Sequence, residues 1–280
     1  MSKKPDLNVF ISVDMEGISG IVHESQVGQD PAEYEKGRIL MAGDVNAAIE
    51  GILAMGEANI IVSDGHGSMR NLRPEDLHEA ATLVRGAPKP LTQMAGIGSG
   101  FDAVLFVGYH SKKGTKYGTL DHTISSRTID NITINGLEVG ETAINAAIAG
   151  YYGAPLVFVS GDLAVTNEAK ELVPNIVTVT VKEAVSRLAA KCISPKKARE
   201  MIKKGVTEAL KRRAFIKPFV FKPPIEVKIK YVDSLMADAV AFLPFVERID
   251  GRTISFTFDD YLKAFRVIRA SIFIADAVSR

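Results

Sequence analysis

Leu7-Asn8-Val9-Phe10-Ile11-Ser12-Val13-Asp14-Met15-Glu16-Gly17-Ile18-Ser19-Gly20 is the stretch whose reading decides the fold. Its first seven residues form an apolar run that reads as a short buried strand. Asp14 and Glu16 stand at the far end of that run, two residues apart. Side chains at i and i+2 of an extended segment point the same way, so the two carboxylates can converge while Met15 faces elsewhere. Gly17 and Gly20 let the backbone turn away. Adjacent carboxylates repel, and each resists ionising unless a cation compensates. Hard and borderline cations bind such a pair. The alternative for this stretch alone is a strand end whose acids cap a helix or face water.

Two further strands repeat the arrangement. Ala58 to Val62 is apolar and runs into Ser63-Asp64-Gly65-His66-Gly67, and Ala103 to Val107 runs into Gly108-Tyr109-His110. Each strand therefore delivers a ligand-type residue just past its C-terminal end, the edge at which open α/β sheets bind ligands. Pro31 to Glu57 carries apolar residues at helical spacing, with Pro31 suited to a first turn. Strand, helix, strand gives a right-handed unit with parallel strands. Helical content is expected near Pro74 to Val84. Ala154 to Ser160 reads as a fourth core strand, with Asp162 beyond it as a helix cap, and Ile176 to Val181 as another strand.

The expected fold class is α/β: a mostly parallel sheet with flanking helices over residues 1–181, plus a smaller α+β domain over 182–280. In the second part, Pro195 to Arg213 is an amphipathic helix whose lysine-rich face reads as solvated. Pro218, Pro223 and Pro224 mark a break, and Ile225 to Tyr231 alternates as a strand. Asp250-Gly251 suggests a tight hairpin turn, and Asp259 to Val278 a terminal amphipathic helix. This half holds no histidine. It reads as a unit for packing, assembly or substrate cover.

The totals narrow the function classes. The chain has 280 residues, 46% hydrophobic and 24% charged, which leaves ample material for a core. Its net charge of +1 argues against a general nucleic-acid role. The one cysteine, Cys192, precludes an intramolecular disulfide and a cysteine zinc site, and fits a reducing compartment. No signal-peptide core and no run long enough to span a bilayer is evident, so no membrane role and a cytoplasmic location are expected.

Ile132 to Val139 is a hairpin signal around Asn135-Gly136. It leads into a helix that Glu141 opens. An acid there is favoured by the helix dipole, and it can equally project as a ligand. Asp14, Glu16, His66, His110 and Glu141 then form a candidate metal set. Two imidazoles and three carboxylates suit zinc, with cobalt or manganese as further candidates. Five ligands exceed what one catalytic zinc needs, so two ions bridged by one carboxylate fit better. Asp64 is placed to orient His66. His122 lies in a loop after His110 and is not needed as a ligand. It is the candidate catalytic residue, as a proton carrier or oxyanion donor. His23 and His78 carry no role, and Lys112, Lys113 and Lys116 read as a solvated loop tip.

Ser12 to Gly20 resembles the opening of the M55 family of D-aminopeptidases. Asp64-Gly65-His66-Gly67-Ser68-Met69-Arg70-Asn71-Leu72, Gly108-Tyr109-His110, the later His122 and Val139-Gly140-Glu141 resemble that family's remaining motifs, in order. The likeness runs from the first strand through Asp162 and more loosely beyond. It implies a two-zinc site from Asp14, Glu16, His66, His110 and Glu141, with Asp14 bridging, and a catalytic His122. It also implies short peptides as substrates, D-residues preferred. A ring-like homo-oligomer enclosing the active sites follows from it too, with a decamer as one candidate size. Two other readings are a dinuclear phosphoesterase and a non-enzymatic peptide-binding protein with a structural metal. The first wants phosphate-gripping cations, which only the lysines near Lys112 offer; the second wants a closed metal site. A haloacid-dehalogenase strand would want Asp-x-Asp, and Glu16 departs from it.

Overall fold

The computed structural model describes residues 7–28 and 30–279. Strand β1 (Leu7–Val13) is buried almost throughout and pairs in parallel with β2 (Ala58–Asp64) on one side and β4 (Ala103–Tyr109) on the other. Burial on both faces is why these strands read as continuous apolar runs. With β3 (Ala81–Val84), β7 (Leu156–Asp162), β8 (Val177–Ser186) and β9 (Ala189–Cys192), they build a seven-stranded sheet, order β3-β2-β1-β4-β7-β8-β9. All its pairings are parallel except β8 with β9. The chain leaves β1 for one flank and returns to the other at β4. The topological switch point therefore lies between β1 and β4, where an α/β sheet opens its ligand crevice.

Helix α1 (Pro31–Leu53) begins as its sequence directs. Asp30 accepts hydrogen bonds from the backbone N–H groups of Ala32 and Glu33, and Pro31 occupies the first turn. It packs on α4 (Pro195–Arg212), which also lies on β7 and β8. Asp162 caps α3 (Leu163–Leu172) by accepting from Val165 N–H, as expected. Its other oxygen accepts from Thr119 N–H and ties down the 110–122 loop.

A second, antiparallel sheet has the order β11-β12-β10-β5-β6, with β5 (Ile129–Ile134), β6 (Leu137–Glu138), β10 (Ile225–Tyr231), β11 (Glu247–Arg248) and β12 (Thr253–Phe258). Helices α5 (Ser234–Val240) and α6 (Tyr261–Val278) pack with it. Helix α6 also reaches α2 (Glu141–Tyr151), and Tyr261 Oη donates to the Ile144 carbonyl at 2.8 Å. The mixed α/β class stands. The sheets do not part at the expected position, however. Residue 181 lies within β8, β9 joins the first sheet and α4 packs on it, and β5, which carries β6 on its other edge, reaches forward to pair with β10.

Three local expectations differ. Residues 74–84 hold one short 3-10 turn and strand β3 rather than helical content. Asn135 (φ 50°) and Gly136 (φ 81°) form the expected left-handed pair, but Asp250-Gly251 is not a two-residue turn. There the Asp250 carboxylate accepts from Arg252 and Thr253 N–H, so a side chain shapes a longer loop. Neither β9 nor α5 is among the elements expected from the sequence.

Candidate metal centre

Asp14 follows β1 directly, His110 follows β4, and His66 follows β2 after one glycine, so the switch point gathers all three. Gly17 is required where the chain leaves this edge: a Cβ there would meet the Tyr109 carbonyl oxygen at 1.9 Å. A Cβ on Gly108, at φ 73°, would meet the Asp14 carbonyl oxygen at 2.4 Å. Glu141 enters from the first turn of α2, and His122 from the loop after β4. Met15 turns away into the core.

The five expected ligands converge. His66 Nδ1 is 3.2 Å from Asp14 Oδ1 and 3.0 Å from Glu16 Oε2. His110 Nε2 is 3.6 Å from Asp14 Oδ2 and 3.4 Å from Glu141 Oε1. His122 joins them, with Nε2 3.7 Å from Glu141 Oε1 and its ring stacked on His110 at 4.0 Å. Each imidazole is oriented by a backbone carbonyl, His66 Nε2 donating to Val27, His110 Nδ1 to Ser111 and His122 Nδ1 to Leu120. That leaves one nitrogen of each ring facing the carboxylates. Asp64 does not orient His66. Its oxygens accept from Asn71 N–H, the Asn71 amide and Leu72 N–H, and so shape the loop that carries His66.

The electrostatics express an unbalanced cluster. Burial and the adjacent Glu16 carboxylate push Asp14 up to about 7. Burial alone would raise Glu16, but the charge and hydrogen bond of His66 hold it well below the usual range. Burial is likewise outweighed at Glu141, held down at about 2 by His110, His122 and the Ile124 N–H. Burial works against the charged forms of His66 and His110, yet the surrounding carboxylates hold both well above 6.5. Burial and the neighbouring His110 lower His122. A cation would occupy the place these shared protons hold. His110 Nε2 is buried without a hydrogen-bond partner and faces the Asp14 and Glu141 carboxylates, where a metal would take the place of its proton. The oxygen and nitrogen donors fit zinc. The donor atoms fall into two groups, Asp14, Glu16 and His110, and His110, His122 and Glu141, each within 4.8 Å.

Several supporting residues escaped sequence reasoning. Gln93 Nε2 donates to Asp14 Oδ2 at 3.2 Å and to Glu141 Oε2, and its oxygen accepts from the Asn145 amide. Asn145 also donates to Tyr109 Oη, which pairs with Ser12 Oγ. Asn145 was findable: it is the one amide on an apolar helix, four residues after Glu141 and hence on its face. Gln93 sits in a short 3-10 turn, Thr92–Met94, and gave no signal. Lys182, on β8, is buried and donates to the carbonyls of Glu16, Ile18 and Ile21, strapping the turn after Asp14. The lysine tip touches no ligand: Lys113 Nζ donates to the Ser126 and Ile129 carbonyls, and Lys116 lies over the Tyr117 ring.

A sheet-edge crevice with three buried carboxylates and three oriented imidazoles defines a metallohydrolase class. The peptidase M55 model, described as D-aminopeptidase, matches residues 7–270, so the chain belongs to the M55 family of D-aminopeptidases. It is 34% identical over 263 residues to the D-aminopeptidase of Bacillus subtilis (strain 168), covering 94% of this chain and 95% of that one. It also superposes on the solved Zn-dependent D-aminopeptidase DppA from Bacillus subtilis, described as a self-compartmentalizing protease. The TM-score is 0.94 at 33% identity, over 98% of this chain and 100% of that chain.

Proposed function

We propose that this zinc-dependent aminopeptidase removes the N-terminal residue of short peptides, D-residues preferred, using two zinc ions per chain. Cobalt or manganese would serve as substitutes. The observation that carries this reading is the division of donors around Asp14, whose Oδ1 faces His66 and whose Oδ2 faces His110. Asp14 would bridge, Glu16 and His66 would complete one site, and His110 and Glu141 the other. When bound, zinc polarises a peptide carbonyl and lowers the pKa of water. The remaining work falls to the chain. Gln93 orients the inner carboxylates through its amide. His122, held by the Leu120 carbonyl and lowered by burial, is neutral near pH 7 and can take up a proton for the leaving amine. The surrounding cavity, about 320 Å³, suits a short peptide rather than a folded chain. The phosphoesterase and structural-metal readings gain nothing from the family match. A cytoplasmic location is part of the proposal. Among the described residues no helix is long and apolar enough to cross a membrane.

The test is a panel of D- and L-aminoacyl peptides, their N-acetylated forms and phosphomonoesters on metal-loaded protein. Hydrolysis of free-amine peptides alone, abolished by a chelator and restored by zinc, is the expected result. Equal rates on blocked peptides, or hydrolysis by metal-free protein, would overturn it.

A further inference from the structure

The metal cavity has a wall that comes from the C-terminal helix. Phe265, Arg269 and Asp276 lie four and seven residues apart on α6, so they share one face, and all three line the cavity that holds Asp14, His122 and Glu141. Arg269 is part-buried there. Among the described residues its guanidinium makes no hydrogen bond or ion pair, its Nε is buried without a partner, and it rests on the Phe273 ring at 5.0 Å. Asp276 meets a different cation, Arg127, at 3.4 Å. A buried, unsatisfied guanidinium nitrogen is costly, and this side chain presents a planar fork of donors suited to a carboxylate.

The space beyond Arg269 carries the same sign. A second cavity of about 780 Å³ shares Gly67, Met69, Thr92 and Arg269 with the first and continues it toward Pro88 and Phe273. Its charged lining is Lys89, Arg266 and Arg269, with no acid. The Lys89 ammonium is already used by Ser63 Oγ and the Asp64 carbonyl. Among the described residues, Arg269 is thus the cation without a hydrogen-bond partner at the junction between an acidic metal cavity and a cationic, partly apolar groove. A peptide entering with its amino end at the acids would direct its carboxyl end here. In a dipeptide that end is one residue, ~3.8 Å from Cα to Cα, past the scissile bond's acyl residue.

We propose that Arg269 binds the C-terminal carboxylate of the substrate, making this site selective for peptides of two or three residues with a free carboxyl end. The inference rests on the aminopeptidase reading and narrows it. It places a specificity residue in the half of the chain that holds no metal ligand. Charge-assisted bonds to a carboxylate in such surroundings are stronger than neutral ones, so the effect falls on binding.

The experiment compares D-alanyl-glycine with D-alanyl-glycinamide on zinc-loaded wild type, Arg269→Gln and Arg269→Lys. Non-cleavable N-methyl analogues of both are titrated calorimetrically in parallel. Wild type is expected to favour the acid at least tenfold in kcat/KM, mainly through KM. In Arg269→Gln the acid's kcat/KM falls roughly 10–100-fold and the acid-to-amide ratio approaches one, while Arg269→Lys keeps an intermediate ratio. Wild type treating acid and amide alike would overturn the proposal, whatever the variants do. A loss in Arg269→Gln that is equal on both substrates would also overturn it, because the arginine would then serve the fold or Glu141. Failure to cut any peptide would instead sink the aminopeptidase reading, and the calorimetric acid-to-amide ratio would still decide the role of Arg269.

Discussion

Asp14 has to satisfy two neighbourhoods at once, and its substitution is the sharpest test of a shared bridge. His66 lies 3.2 Å from one of its oxygens and His110 3.6 Å from the other, with Glu16 beside His66 and Glu141 beside His110. Asp14→Ala is expected to lose both ions, measured as metal per chain after gel filtration. One ion retained at full occupancy would mean that Asp14 serves a single site. His122 separates catalysis from binding. It reaches Glu141 at 3.7 Å and shares a donor group with His110 and Glu141, yet the proposed pair of sites uses only the other five residues. His122→Ala is therefore expected to keep both ions and lose about 10²–10⁴-fold in kcat with KM little changed. Loss of an ion in that variant would make it a ligand. All six of these residues were legible because their types are chemically distinctive and stand at strand ends or a helix start. Gln93 and Lys182 were not. An amide in a short 3-10 turn and a lysine in an alternating strand look like surface until tertiary packing buries them.

Lys182 links an element of the sheet to the chemistry. Its ammonium leaves β8 and donates to three carbonyls of the 16–21 turn, while burial lowers it to about 8. Lys182→Met is expected to cost about 3 kcal/mol, because three buried acceptors lose a charged donor. For a chain of this length that lowers Tm by roughly 6–12 °C. Glu16 lies in the same turn, so zinc should also dialyse out faster. Normal zinc retention with the lowered Tm would confine Lys182 to the fold. At this scale the parallel strands were readable, since burial on both faces writes them as apolar runs, and so were helices with Pro or Asp at their start. What sequence could not reveal was sheet membership. The β8–β9 hairpin continues the first sheet past residue 181, and β5 pairs with β10 some ninety residues later. Such pairings depend on contacts between distant segments, which local pattern does not encode.

At the scale of the whole molecule, the second sheet and α6 do more than complete a core. Helix α6 walls the metal cavity, which fits the expectation of substrate cover. The C-terminal part of the chain carries large apolar side chains in water: Phe242 is 87% exposed and Phe215 75% exposed. Scattered apolar residues are ordinary on a monomer, but phenylalanines this open are better satisfied against another subunit. The related DppA is described as self-compartmentalizing, and this chain matches its full length. We therefore expect a closed homo-oligomer, a decameric ring among its candidate sizes, with the active sites facing an enclosed space. Heterologous contacts that close into a ring have a fixed copy number, so light scattering should return one large species whose mass does not change between micromolar and tenfold higher concentration. A monomer at micromolar concentration would remove the expectation. Enclosure makes a second, independent demand, because a folded substrate protein with a suitable amino end should be spared while its short N-terminal peptide is cut. If the folded protein were trimmed as fast as the peptide, selection by the compartment would fail even in a large oligomer, and the narrow cavity with Arg269 would remain the only filter on substrate length.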